Sequence, residues 1–293
     1  MQTNEAKLIH LHEDSIMFRE MLNFTAAETT FPARLIEKDY FCTVVLEFLK
    51  DMPGLVFKGG TCLAKVHADF YRLSEDLDFV IPMPVDSTQK QRSLTIDPAK
   101  VVFKKLSSGS AIFREKKALT GANKSIQYIG ELEYDSFLSN TAESIKIEIS
   151  VREPLLEPTI SHKAKTILLS PLTTKQAVDP VGVTSISRRE AYAEKFRAAL
   201  TRREPAIRDY FDIDYAITQL DLNPSEEELT SLVRKKLAVP GNEKQELNTD
   251  WLKVLQLQLD AQLKPVLRIA DYGKFDLTRA IGFVEEMKKR SLG

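Results

Sequence analysis

An α+β fold is predicted by three features of the sequence. The segments Glu75–Ile81 and Ser144–Val151 alternate in polarity, which is the period of a half-buried strand. Further strand signals fall within the first ~170 residues, whereas the remainder carries apolar residues at helical spacing. Strands first and helices after imply a sheet-containing half followed by a helical half. The expected division is a core domain over 1–180 and a helical C-terminal domain over 181–293.

The individual elements follow from local signals. Residues Pro32 to Lys50 carry Leu35, Ile36, Tyr40, Val44, Val45, Phe48 and Leu49 at helical spacing. Leu55-Val56-Phe57 reads as a brief strand running into Gly59-Gly60, with a short helix through His67. Asp97-Pro98 offers an N-cap and a proline at the first helical position, which predicts a helix from there through Leu106. Ala111–Lys117 and Ile126–Glu133 read as strands joined by a Gly121-Ala122-Asn123 turn. After the breaks at Pro154 and Pro158, helices are predicted at 188–202, 206–220, 225–237, 249–264 and 277–290.

Composition narrows the function classes. With 293 residues, 43% of them hydrophobic, the chain can bury a sizeable core as one large or two modest domains. A formal net charge of −1 means that any nucleic-acid contact relies on a local basic patch. Cys42 and Cys62 are too few for a disulfide framework, and the four histidines are not spaced with them as a zinc site requires. No apolar run approaches the ~20 residues needed to cross a bilayer. The opening MQTNEAKLIHLHED is polar and mixed in charge, unlike a secretory signal, so a cytoplasmic protein without a membrane partner is expected.

The chemistry concentrates in FKGGTCLAKVHADFYRLSEDLDFV, Phe57 to Val80. A strand followed by Gly59-Gly60, Thr61 and a helix start is one way to hold a phosphate. Glycines admit close approach of the backbone, and exposed N–H groups at a helix start favour an anion. Taken alone, such a turn is more often only a turn. Asp76 and Asp78 stand at i and i+2, so on a strand both carboxylates project to one face. Two adjacent anions suit a divalent cation, and hard oxygen ligands suit Mg²⁺. In Ser144–Ser150 the isoleucines fill one face and Glu148 lies on the other, where a sheet can set it beside the two aspartates. Three carboxylates that converge can hold two metals.

Together these residues resemble the nucleotidyltransferase superfamily: a Gly-Gly-Thr helix start, Arg72-x-Ser74-x-Asp76-x-Asp78, then a later acidic strand. More narrowly, KGGTxLxK followed by R-x-S-E-D-x-D-F resembles the AbiEii family of type IV abortive-infection toxins, related to the MenT toxins. Its later lysine and Arg-Asp-x-x-Asp motifs are matched by Lys195 and by Arg208-Asp209-Tyr210-Phe211-Asp212. Glu148 departs from the aspartate of many relatives. The resemblance implies a mixed-sheet core with flanking helices, and a helical C-terminal domain that contributes to the active site.

It further implies an NTP-dependent nucleotidyltransferase in which Asp76, Asp78 and Glu148 hold Mg²⁺. Lys195 and Asp209 take catalytic or nucleotide-contacting roles. Lys58, Gly59, Gly60, Thr61, Lys65, Arg72, Ser74 and Arg208 contribute to nucleotide binding. The implied acceptor is a tRNA 3′ end, and the implied protein partner is an AbiEi-like antitoxin. From the residues, the row Arg188, Lys195 and Arg202 beside the apolar Tyr192, Phe196, Ala199 and Leu200 is equally an ordinary solvated helix face. Two other readings stay open: transfer to a small molecule or a protein, and a non-catalytic module that binds nucleotide or RNA.

Overall fold

The computed structural model describes residues 10–139, 141–243, 245 and 248–292. The first nine residues of the polar opening segment lie outside that range. The chain divides into two compact units. One comprises the residues up to Arg152 together with Ile160–Ser185, and the other Glu153–Thr159 together with Ile186 onward.

The first unit opens with helices α1 (Ser15–Thr29) and α2 (Ala33–Leu49). Asp14 caps α1 by accepting the Met17 amide at 3.0 Å, and Thr30 ends it in the left-handed conformation. Helix α2 is buried on almost every side, polar residues included: Glu37, Lys38, Asp39 and Thr43 are as enclosed as Tyr40, Phe41 and Val45. Buried polar groups need partners, and those partners organise the site described below.

Strand β1 (Val56–Lys58) runs into the short helix α3 (Gly59–Cys62), which continues as a wider turn over Leu63–His67. Strand β2 (Leu77–Val80) follows, then helix α4 (Gln89–Gly109) and strands β3 (Arg114–Ala122), β4 (Gln127–Asp135) and β5 (Ala142–Ser150). Strands β6 (Ile160–Ala164) and β7 (Val181–Ser185) complete a mixed seven-stranded sheet of order β3-β4-β5-β2-β1-β7-β6. Pairing is parallel for β2–β5 and β1–β7 and antiparallel elsewhere. The core against the sheet includes Phe57, Leu77, Phe79, Ile145, Ile147 and Ile149.

The second unit is helical: α5 (Arg188–Thr201), α6 (Ile207–Gln219), α7 (Glu227–Leu237), α8 (Thr249–Gln258), α9 (Ile269–Tyr272) and α10 (Leu277–Leu292). Tyr192, Phe196, Tyr210, Ile213, Val233, Leu255 and Val284 form its core. The nearly inaccessible ammonium of Lys236 on α7 reaches Glu190 at 2.7 Å and Glu194 at 3.2 Å, both on α5.

Several boundaries differ from expectation. Helix α4 does not start at Asp97-Pro98. It starts after Thr88, whose hydroxyl accepts the Gln91 amide while Gln91 returns a bond to the Thr88 backbone, and it continues through Pro98. This reciprocal capping box fixes the helix start more strongly than an aspartate before proline does. The β3–β4 turn lies at 123–126 rather than at Gly121, with Asn123, Lys124 and Ser125 all at positive φ. Asp76 sits one residue before β2 rather than within it. The helix expected over 249–264 loosens into wider turns at Leu259. Strands β6 and β7 were not anticipated.

Candidate active site

The site in the first unit is built on a row across three neighbouring strands. Lys58 is the register partner of Asp78 across β1 and β2, and Asp78 is the register partner of Glu148 across β2 and β5. Residues directly opposite in a sheet share a face, so Lys58, Asp78 and Glu148 stand side by side. Burial first, and Glu148 second, push the Asp78 carboxyl up to about 6, against the opposing pull of Lys58.

The turn after β1 fits closely over this row. Gly59 has φ +78°, and a Cβ there would overlap the Asp78 carboxylate, so both the backbone conformation and the space demand glycine. A Cβ on Gly60 would lie 2.6 Å from Arg72 Nη2 and 3.1 Å from Ser74 Oγ. The glycine turn therefore rests on the guanidinium and hydroxyl of the Arg72-x-Ser74 motif. Arg72 is 2% exposed and donates to its neighbour's carbonyl, Leu73 O, at 3.1 Å.

Two further contacts fix the acidic loop. The buried Thr61 hydroxyl donates to the Asp76 carbonyl, so its proton positions Asp76. Glu75 points to α2, where it accepts from Lys38 at 3.0 Å and from Arg34 at 3.2 Å. Successive residues thus divide the work: Glu75 anchors the loop, and Asp76 remains about half exposed.

Lys65 is placed differently. Its ammonium is fully enclosed and lies 2.6 Å from Asp39 Oδ1, while donating to Thr43 Oγ1 at 2.7 Å and to the Lys165 carbonyl at 3.2 Å. Asp39 Oδ2 also accepts from Thr166 Oγ1 and the Ile167 amide, each at 3.0 Å. This buried knot ties α2 and the turn after α3 to the segment preceding β7; the Lys65 ammonium is committed to it rather than to the carboxylate row.

Sequence reasoning overlooked Lys146. It lies on β5 two residues before Glu148, and its ammonium is 3.5 Å from Asp76 Oδ2 and 3.5 Å from Glu148 Oε2. Burial opposes its charge, but Asp76, Glu148 and Asp78 outweigh burial and hold its pKa above the ordinary lysine value. The alternation that exposed Glu148 exposes Lys146 on the same face, so the signal was present.

In the second unit, Lys195 on α5 lies 2.8 Å from Asp209 Oδ1 and 2.8 Å from Asp212 Oδ2, both buried on α6. Arg202 lies 2.8 Å from Asp209 Oδ2. Burial would raise the Asp209 pKa, but Lys195 and Arg202 prevail and hold it below the ordinary carboxylate range. Arg208 donates through Nε to the Gln262 carbonyl at 3.2 Å.

The donor chemistry of the first unit fits a hard divalent cation. The Lys146 ammonium lies between two of its carboxylates, and glycine at position 59 leaves room for the third, Asp78. Among the described residues, no three His, Cys, Asp or Glu side chains close into a ligand set. Mg²⁺ needs only one or two protein carboxylates when phosphates and waters supply the rest. Cys42 and Cys62 are buried and not joined in a disulfide, and among the described residues no helix is long and apolar enough to cross a membrane.

Comparison with known proteins accords with this arrangement. The family model described as nucleotidyl transferase AbiEii toxin, type IV TA system, matches residues 45–278, which spans β1, β2, β5 and helices α5 to α7. The fold is similar to that of MenT4, the nucleotidyltransferase toxin Rv2826c from Mycobacterium tuberculosis H37Rv, at a TM-score of 0.61 and 16% identity over 93% of this chain and 92% of that one. JHP933 from Helicobacter pylori aligns at 15% identity over 95% of this chain and 92% of its own, with a TM-score of 0.46. No curated protein matches in sequence. The chain belongs to the AbiEii family of nucleotidyltransferase toxins of type IV toxin–antitoxin systems, and it is a nucleotidyltransferase.

Proposed function

We propose that this protein transfers a nucleotide from an NTP to an acceptor hydroxyl in a Mg²⁺-dependent reaction, that the acceptor is a tRNA 3′ end, and that the modification arrests growth. The observation that carries the reading is the side-by-side placement of Asp78 and Glu148, with Asp76 beside them, under the Gly59-Gly60 turn.

Asp76 and Asp78 would hold the cation, with Glu148 as a further ligand or as acceptor of the attacking hydroxyl's proton. When bound, Mg²⁺ supplies charge neutralisation for the triphosphate and for the developing alkoxide. The acceptor hydroxyl attacks the α-phosphorus in line, the bond to the β-phosphate oxygen breaks, and pyrophosphate leaves. The backbone N–H groups at Gly59-Gly60 and the Ser74 hydroxyl are suited to phosphate oxygens. Lys58 and Arg72 add positive charge at the same turn. Thr61 acts through Asp76, whose carbonyl it holds. Lys195, Asp209 and Arg208 take nucleotide-contacting roles on the strength of the motif resemblance.

The tRNA assignment draws on the same resemblance and on the basic run Arg188, Arg189, Lys195, Arg197, Arg202, Arg203 and Arg208. Several of those cations have internal partners: Arg189 reaches Glu157 at 3.1 Å, and Arg202 reaches Asp209. That favours keeping a second reading in which the acceptor is a small molecule. The family implies a cognate antitoxin partner, and the reading includes a cytoplasmic location.

Purified protein incubated with total tRNA, Mg²⁺ and each labelled NTP, beside an Asp76→Ala control, tests the proposal. Label on tRNA that disappears in the variant and weakens steeply with salt supports it. Transfer to a small acceptor with no salt-sensitive RNA binding supports the second reading.

A further inference from the structure

Lys146 has no part in the reaction as proposed above, yet it stands among the three carboxylates of the site. It shares a face with Glu148, and its ammonium bridges Asp76 and Glu148 at 3.5 Å each. Its register partner across β4 and β5 is Glu131, whose carboxylate is engaged by Lys116 at 3.2 Å. Among the described residues, Asp76 and Glu148 are therefore the two carboxylates within 4.0 Å of the Lys146 ammonium.

An ammonium between Asp76 and Glu148 repels a divalent cation and competes with it for the same two carboxylates. We propose that Lys146 is a built-in counter-ion that holds the cation position between Asp76 and Glu148 until nucleotide arrives, so that divalent-metal loading is coupled to NTP binding. The inference rests on the reading of Asp76, Asp78 and Glu148 as metal-holding residues. Lys146 is about a third exposed, so its flexible stem can swing away from the sheet. Without nucleotide, displacement leaves the ammonium with no anion in exchange, and metal binds weakly. With nucleotide, a triphosphate offers the displaced ammonium a new partner. Linkage requires the coupling to be reciprocal: nucleotide tightens metal binding by the same factor by which metal tightens nucleotide binding.

The test measures metal affinity rather than turnover. The full chain is titrated with Mn²⁺ by calorimetry, first without nucleotide and then with an NTP analogue carrying a methylene bridge between the α and β phosphates. In the absence of nucleotide, Lys146→Met is expected to bind Mn²⁺ about tenfold tighter than wild type, since a like charge is removed from the site. Lys146→Arg, which keeps the charge, stays as weak as wild type, and Lys105→Met on the exposed face of α4 is unchanged. The tightening brought by the analogue shrinks in Lys146→Met. Lys146→Gln gives the same measurement where the Met variant does not fold.

Mn²⁺ binding by Lys146→Met equal to or weaker than that of wild type overturns the counter-ion role. If Asp76→Asn and Asp78→Asn also leave Mn²⁺ affinity unaltered with the analogue present, the metal-site reading itself falls. If those two variants abolish binding while Lys146→Met has no effect, only the counter-ion role falls.

Discussion

Asp78 and Glu148 are register partners on parallel strands, and burial together with that neighbour pushes the Asp78 carboxyl up to about 6. A carboxyl whose pKa is higher in the folded state binds its proton more tightly there than in the unfolded chain. Its favourable contribution to stability is full below the ordinary carboxylate range and is lost as pH rises through about 6. At neutral pH the ionised site therefore opposes folding.

Asp78→Asn relieves that opposition. The variant is expected to melt higher than wild type at about pH 8, by on the order of 2–5 °C, with the gain vanishing near pH 4. Nucleotide transfer should fall at least ~100-fold in the same variant. Melting curves at the two pH values decide the electrostatic account; a lower melting temperature at the higher pH contradicts it.

Gly59→Ala should abolish transfer while leaving the rest of the sheet intact. The left-handed backbone disfavours alanine by about 1 kcal/mol, and the added methyl would press on the Asp78 carboxylate. Activity and the urea midpoint, measured together, separate the two effects. A loss of stability of a few kcal/mol with activity retained would show that the turn serves only the fold.

Lys65→Met strands the Asp39 carboxylate in the core beside α2. Removing one member of a buried pair costs about 3–5 kcal/mol. Equilibrium urea unfolding should show that loss, and adding Asp39→Asn should recover part of it. A loss below about 1 kcal/mol would mean that water reaches the knot.

Lys195→Ala removes a cation that helps keep Asp209 below the ordinary carboxylate range. A depressed carboxylate contributes stability above that range and loses it as pH falls. The variant should be less stable than wild type near neutral pH, with the difference narrowing toward pH 3. Acid unfolding monitored by circular dichroism reads this directly, and parallel curves for the two proteins would rule it out.

Much of the site was legible because its parts are local. Lys58 to Asp78 is a single stretch in which the one connection from β1 through α3 to β2 brings the glycines, Arg72, Ser74 and the aspartates together. Glu148 was legible as an outward-facing residue, but its pairing with Asp78 depends on which strand β5 joins, and local pattern is silent on that. Lys65 looked equally available for phosphate; only the fold shows its ammonium turned to Asp39. Strands β6 and β7 escaped notice because each is five residues long, and β7 carries Gly182 as its second residue. The start of α4 was misplaced because proline at a first helical position and proline inside a helix look alike without the capping contacts around Thr88.

The adjacency of β2 and β5 also sets when the site can first exist. The two strands are neighbours in the sheet, yet α4 and the β3–β4 hairpin separate them in sequence. Closing so long a loop is a slow step, and it waits until β5 has been synthesised. A growing chain that has emerged only as far as the hairpin presents the glycine turn and both aspartates but has no Glu148 to set beside them. For a member of a toxin family, this ties the proposed acidic row to chain completion: a prematurely terminated product lacking β5 has no Glu148 to pair with Asp78.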